Sequence, residues 1–272
     1  MKTVKTLLIS ATLLASLQAV AQKNLGLESS PNFRELGGLA VGDGYQIKDD
    51  MIYRSGSFSH LPEDDKEKLA KTNINTVVDF RSAFEIEREP DDIPASLQAA
   101  YVSSPIGAMD QKAMGKFMEV LNREEFKTES LDSLMVEANR NFVVHIADYK
   151  PFFESLLDQD AVVLFHCSAG KDRTGLASSL LLHILGADWD TIMSDYLRSN
   201  DAVQKLDENK LAMYGISKER ARYLMGVQPV YLETAWAEIN KKYGSIDAML
   251  EKEFGIGEEQ KARLRAKFLK KG

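Results

Sequence analysis

Cys167 and Arg173 stand six positions apart in His166-Cys167-Ser168-Ala169-Gly170-Lys171-Asp172-Arg173-Thr174-Gly175, and Cys167 is the chain's only cysteine. A thiolate is a strong nucleophile, and a guanidinium can hold two phosphoryl oxygens at once, so this pair suits attack on phosphorus. The hold tightens as charge builds on the transferring group, which a lysine's point charge would match less well. Oriented amides and Arg173 would favour the thiolate form of Cys167. Thr174 is placed to donate its hydroxyl to the sulfur as it departs. Ser168, Ala169 and Gly170 belong to the cradle around the anion, and Gly170 and Gly175 permit conformations or close approaches that a side chain would obstruct.

Such a cradle works only between a strand and a helix. The apolar run Ala161-Val162-Val163-Leu164-Phe165 reads as the strand and Leu176 to Leu185 as the helix, whose N-terminal amides favour an anion. A cysteine and an arginine at this spacing are common by chance, and a lone cysteine behind an apolar strand is often an inert core thiol. The specificity lies in the ten-residue string in its strand, loop and helix setting. A rhodanese-like sulfur carrier shares the loop logic but not the string.

Upstream, Val41 to Ile47 around Gly42-Asp43-Gly44 reads as a hairpin and Met51 to Arg54 as a strand. The charged run from Pro62 to Lys71 reads as a helix, Ile74 to Phe80 as a buried strand, Ser82 to Glu89 as a helix stopped by Pro90, and Gln98 to Val102 as a strand. This alternation predicts an α/β fold with a mostly parallel central sheet flanked by helices. Between Met109 and Leu157, Met114, Phe117, Met118 and Leu121 recur at helical spacing. Downstream, Gly186 ends the helix after the loop, Pro229 opens another, and Gly244 and Gly255 mark breaks.

The ten-residue string resembles the phosphate-binding loop of cysteine-dependent tyrosine phosphatases, in the form found in the bacterial family that includes the secreted mycobacterial tyrosine phosphatase B. Asn32-Phe33-Arg34-Glu35-Leu36-Gly37-Gly38, Tyr53-Arg54-Ser55-Gly56, Val78-Asp79-Phe80-Arg81-Ser82, Asp195-Tyr196-Leu197-Arg198-Ser199-Asn200 and Tyr243-Gly244-Ser245-Ile246 are similar to further family landmarks. The likeness runs from about Glu28 to near the C-terminus; Glu35 and Phe80 replace the family's usual Asp and Leu. It implies a cysteine-phosphatase-like fold with a helical lid insertion, placed at about 106–157. It also implies phosphomonoester hydrolysis through a cysteinyl-phosphate, with phosphotyrosine in proteins as the first substrate class and dual or lipid specificity beside it. A phosphoinositide or inositol-phosphate phosphatase would share every catalytic residue, whereas a phosphate-binding module without turnover would need no nucleophile.

A general acid must protonate the leaving oxygen, and two aspartates compete for the role. Asp79 ends a predicted strand, at the edge where an open α/β sheet keeps its crevice, and is favoured; Asp172 belongs to the cradle and could act directly or orient Arg173. An ion pair with a nearby arginine is the structural alternative for Asp79. Lys171 is expected at the rim, where it could meet a second phosphate, with solvated lysine as the alternative. Arg34, Arg54 and Arg81 read as structural, Asp195 as loop support or a helix cap, and His166 as a loop-fixing hydrogen-bond partner. The four histidines lack ligand spacing, so neither a metal nor another cofactor is expected.

Lys2 and Lys5, the uncharged stretch Thr6 to Val20 and Ala19-Val20-Ala21 form a signal-peptide pattern over 1–21, predicting a periplasmic or secreted protein without a membrane span after cleavage. The remainder, 22–272, is long enough for one phosphatase domain. A net charge of −7 argues against a nucleic-acid partner, leaving a phosphorylated protein, peptide or phosphoinositide. A single exported cysteine has no partner for an internal disulfide, so stability must come from packing.

Overall fold

Thr76-Val77-Val78-Asp79 and Val163-Leu164-Phe165-His166 lack polar and apolar alternation because both strands are covered on both faces. The computed structural model describes residues 25–107 apart from 28 and 31, then 112, 115, 119, 120 and 125, then 127–205 and 217–272. The expected signal peptide at 1–21, and Met114, Phe117, Met118 and Leu121, lie outside the described residues. Among the described residues, no helix is long and apolar enough to cross a membrane.

In chain order, β1 is Arg34–Glu35, β2 Ala40–Val41, β3 Tyr45–Ile47 and β4 Ile52–Ser55. Helix α1 (Glu63–Ala70), β5 (Thr76–Asp79), α2 (Ala83–Arg88) and β6 (Ala100–Ser103) follow. Then come α3 (Thr128–Val144), α4 (Lys150–Leu157), β7 (Val163–His166), α5 (Asp172–Leu185) and α6 (Trp189–Leu197). The chain closes with α7 (Lys218–Met225), α8 (Pro229–Tyr243), α9 (Ile246–Phe254), α10 (Glu258–Phe268) and β8 (Leu269–Lys271).

The central sheet runs β1-β4-β7-β5-β6; the β4–β7, β7–β5 and β5–β6 pairs are parallel and β1 is antiparallel to β4. The mostly parallel α/β architecture expected from the alternation is therefore present. Its register matters for the site, because Ser55 and Asp79 both stand level with His166, so three loops leave the sheet side by side at its carboxyl edge. The hairpin β2–β3 also forms, but it joins β8 in a second small sheet. A three-residue strand ending a helix, with lysines at two of its positions, carries no readable strand signal.

Side chains of the central strands divide by parity. Val163, Phe165 and Val78 enter the larger core with α4 and α5, whereas Leu164 and Val77 enter a smaller one with Phe58 and Leu69. The rings of Phe80, Phe152 and Phe165 pack together, with centroids 5.6 Å apart for Phe80–Phe152 and 4.7 Å for Phe152–Phe165. Each such buried side chain contributes about 1.5–3 kcal/mol of transfer free energy. Phe152, Phe153 and Leu156 place α4 inside this core, and Leu131, Met135 and Val143 bring one side of α3 into it as well. Helix α3 also contributes to the wall of the cavity that Cys167 lines, and α4 is a flanking helix whose aromatic face packs against the strands.

Candidate active site

The chain leaves β7 at His166, turns through Cys167 to Lys171 and enters α5 at Asp172. Cys167 is only 3% exposed, and the Thr174 hydroxyl donates to its Sγ at 3.2 Å, as the motif predicts. Gly170 has φ +66°, and a Cβ there would lie 2.4 Å from the backbone of Ser55 and Gly56. No other residue fits without moving β4's end. Gly175 is equally constrained, since a Cβ would come within 2.7 Å of the Tyr196 ring where α5 crosses α6.

Two carbonyls of the loop are held facing outward. The Gly170 carbonyl accepts from Asn32 Nδ2 at 2.6 Å and Arg54 Nη2 at 2.9 Å, and the Ser168 carbonyl accepts from the Ser57 N–H at 3.0 Å. In a planar trans peptide the N–H points opposite to the carbonyl, so the amides of Lys171 and Ala169 turn into the loop. Inward-turned amides of this kind form a concavity suited to an anion, and here tertiary partners hold it.

Behind it, Asp195 lies within α6 and joins Arg34 Nε at 3.0 Å to Arg54 Nη1 at 2.6 Å. Burial pushes the Asp195 carboxyl up, but the two guanidinium charges outweigh it and hold the group down at about 2. Burial and the like charge of Arg34 lower Arg54 to about 10. Asp195 therefore acts as loop support through Arg54, while Asp188 caps α6.

Arg173 is aimed by Glu85. Its Nη1 donates to Glu85 Oε2 at 2.9 Å and to the Phe80 carbonyl at 3.1 Å, and its Nη2 donates to Glu85 Oε1 at 2.6 Å. Three of five guanidinium donors are thus engaged, and the remaining Nε–H and second Nη2–H share one edge, the fork that grips two oxygens. Glu85 also accepts from Ser168 Oγ at 2.7 Å and closes a capping box with Ser82 at the start of α2. Desolvation raises its carboxyl, but the hydrogen bonds and charge of Arg173 bring it down to about 2.

Because the ordinary Glu85 value is 4.5, its contribution to stability is fully present above about pH 4.5 and is lost as pH falls toward 2. The wild type is expected to lose stability across that window in acid-denaturation curves followed by circular dichroism. Glu85→Gln, less stable at neutral pH, is expected to show a shallower slope there; identical slopes would mean that the pair contributes nothing to the linkage.

Above Cys167 is a cavity of about 510 Å³, lined among others by Ser168, Ala169, Lys171, Asp172 and Arg173 at its floor and by side chains of α2, α3 and α7 around it. Asp172 reaches this cavity, and its Oδ1 is buried without a hydrogen-bond partner among the described residues. Lys171 also lines the cavity. It is not the solvated lysine of the alternative: it is buried, with Nζ donating to the carbonyls of Leu224 at 2.5 Å and Gly226 at 3.0 Å. A cation there satisfies carbonyls at the end of α7 and complements its dipole. Its Nζ is also 3.5 Å from Asp172 Oδ2.

Asp79, favoured as the acid on strand position alone, is fully buried and lies outside the cavity's lining. It accepts from the Arg81 N–H, Nε and Nη2 and from the Tyr101 hydroxyl, at 2.7–3.1 Å, which occupies the roughly four acceptor positions of a carboxylate. The arginine-pair alternative describes its place. Among the described residues, Asp79, Asp91 and His166 are grouped closely enough to hold a metal ion. Arg81 Nη2 already bridges the two carboxylates at 2.7 and 2.6 Å, so a guanidinium supplies the positive charge. His166 is buried, with Nε2 at 3.3 Å from Asp91 and Nδ1 at 3.4 Å from the Cys167 carbonyl.

Comparison with known proteins supplies a family. A family model described as the tyrosine phosphatase family matches residues 25–270. A Cupriavidus necator protein provisionally named a tyrosine-protein phosphatase is 31% identical, over 87% of this chain and 86% of its own. The triple specificity protein phosphatase PtpB of Mycobacterium tuberculosis is 28% identical, over 88% and 96%. A tyrosine-protein phosphatase of Nostoc commune is 26% identical, over 81% and 75%.

Proposed function

Because the chain belongs to the tyrosine phosphatase family, we propose that it hydrolyses phosphomonoesters by nucleophilic attack of Cys167, with Arg173 holding the phosphoryl group and Asp172 as the general acid. The observation that carries this reading is the convergence of Cys167, Arg173 and Asp172 on one cavity. In the first step the Cys167 thiolate forms a bond to phosphorus while the bond to the leaving oxygen breaks. That oxygen takes its proton from Asp172, leaving a cysteinyl-phosphate and a free alcohol or phenol.

In the second step water attacks phosphorus, passes a proton to the Asp172 carboxylate and releases phosphate as the bond to sulfur breaks. The Thr174 hydroxyl stabilises the departing thiolate through the hydrogen bond it already makes. The free edge of Arg173 and the inward amides bind the equatorial oxygens, where charge is greatest in the transition state. Phosphotyrosine in proteins is the substrate class supported by the names of two of the relatives. The buried salt bridge of Asp79 supports a structural part for that residue and not the acid's.

The pH profile of aryl phosphate hydrolysis tests the assignment. Asp172→Asn is expected to lower kcat/KM by about 10²–10⁴ and to remove the basic limb of the profile, because the variant has no proton to give. Asp79→Asn is expected to keep that limb and to cost stability, about 3–5 kcal/mol for breaking a buried ion pair. Loss of the limb in Asp79→Asn and its retention in Asp172→Asn would reverse the roles.

A further inference from the structure

Resting on the phosphatase reading above, we propose that Tyr196 is a positioning residue for Asp172, its hydroxyl donating a hydrogen bond to Oδ1 as that carboxyl gives its proton to the leaving oxygen. The first observation is a pair of buried polar atoms left over. The Tyr196 hydroxyl and Asp172 Oδ1 are both buried and, among the described residues, neither has a hydrogen-bond partner. A hydroxyl kept this way costs stability, and phenylalanine would fill the same space without that cost. Such a group in a folded protein needs a reason, and sites of reaction are where local rules are broken.

The second observation is placement. Tyr196 lies on α6, and its ring sits so close to α5 that a Cβ at Gly175 would come within 2.7 Å of it. Asp172 opens α5 three positions before Gly175, on the same face of the helix. Burial, and after it the charge of Asp172, hold the Tyr196 hydroxyl well above the ordinary tyrosine range, so it keeps its proton at neutral pH. Because Oδ1 is turned from open space, Oδ2 is the oxygen left to meet the leaving group in the cavity.

The third observation is elimination. Tyr149 and Tyr231 also stand close enough to feel the charge of Asp172, but their hydroxyl protons are committed. Tyr149 donates to the Arg173 carbonyl at 3.1 Å, and Tyr231 donates to Asp132, which also accepts from Tyr223 at 2.6 Å. Lys171 Nζ is 3.5 Å from Oδ2 and bound to two carbonyls, Arg173 is held by Glu85, and Arg54 is bound to Asp195 and the Gly170 carbonyl. Among these neighbours, Tyr196 is the donor left for Oδ1. In resting enzymes such bonds are often long and tighten only in the reacting complex. When Oδ2 passes its proton to the leaving oxygen, negative charge spreads to Oδ1 and the hydroxyl answers it. No bond to Tyr196 forms or breaks, and its proton stays on its own oxygen.

The test is Tyr196→Phe in the reduced full chain, which removes the hydroxyl and keeps the ring. Phenyl phosphate and 4-nitrophenyl phosphate are compared, because phenol leaves less readily and leans more on the acid. The variant is expected to lose about tenfold in kcat on phenyl phosphate with little change in KM, and about threefold or less on 4-nitrophenyl phosphate. The basic limb of the pH profile is expected to move up by about one unit, because hydroxyl donation favours the ionised carboxyl and without it Asp172 holds its proton to higher pH. The thermal midpoint is expected to stay or rise. A ratio of two rates on one preparation does not depend on the fraction folded. In an Asp172→Asn background the same substitution is expected to cost nothing further, since no proton is there to be given.

Equal losses on the two phosphates, or an unmoved basic limb, would overturn the positioning role, and so would a loss of the same size in the Asp172→Asn background. If Asp172→Asn removes the limb while Tyr196→Phe matches the wild type in ratio and limb, the phosphatase reading stands and Tyr196 only packs, whatever its thermal midpoint. Retention of the limb by Asp172→Asn would instead overturn the acid assignment, and the part given to Tyr196 with it.

Discussion

Cys167→Ser is expected to reduce aryl phosphate turnover by on the order of 10⁴-fold or more, with EDTA present throughout and the folded protein retained. The substitution exchanges a sulfur for an oxygen at a buried position where Thr174 can still donate, so packing changes little. What changes is nucleophilicity, because a serine hydroxyl lacks the thiolate's reactivity and no partnered histidine stands ready to take its proton. His166 cannot serve, since its ring is buried behind the loop toward Asp91. The cradle amides and Arg173 remain, so the variant should still bind inorganic phosphate, measured by calorimetry. Residual turnover within tenfold of wild type would exclude Cys167 as nucleophile.

Arg173→Lys is expected to cost about 10³-fold in kcat, with a smaller change in KM, because the lost contacts are strongest in the transition state. A lysine keeps the charge but has no planar fork, and it cannot satisfy both Glu85 oxygens and the Phe80 carbonyl while also presenting two donors to phosphate. Glu85→Gln makes a useful companion, since it weakens the hold on Arg173 together with the hydrogen bond from Ser168 while leaving the guanidinium itself in place. Its kcat should fall less than that of Arg173→Lys, and Glu85→Asp should recover less activity than a simple charge model predicts, because the shorter side chain cannot span the same fork. A lysine variant within tenfold of wild type would show that charge alone suffices.

The phosphate loop was legible because its requirements are local. A nucleophile, a small-residue turn and an arginine must follow one strand and precede one helix, and that order is written into consecutive residues. The neighbouring strands and the capping box at Ser82 were legible for the same reason, since β-branched content, caps and turn residues act over a few positions. Glu85 shows where that ends. Its part in starting α2 is readable from Ser82 three residues before, but its grip on Arg173 joins positions 88 apart. Asn32, which reaches the Gly170 carbonyl across 138 positions, is invisible for the same reason.

The surroundings of Asp79 and Lys171 were not legible for a related reason. Strand position puts Asp79 at the correct edge of the sheet, yet the side chain's direction is decided by Arg81 and Tyr101, which bind it away from the cavity. A loop lysine ordinarily faces water, but α7 brings two unsatisfied carbonyls within its reach. By itself the sequence determined the proposed reacting pair, the loop that holds it and the sheet that carries both, because short-range order controls each. Only the tertiary structure decided which carboxylate reaches the cavity and what aims the arginine. Those depend on contacts between distant segments, and in a buried site the partner available to a charge, not its place along the chain, sets what it can do.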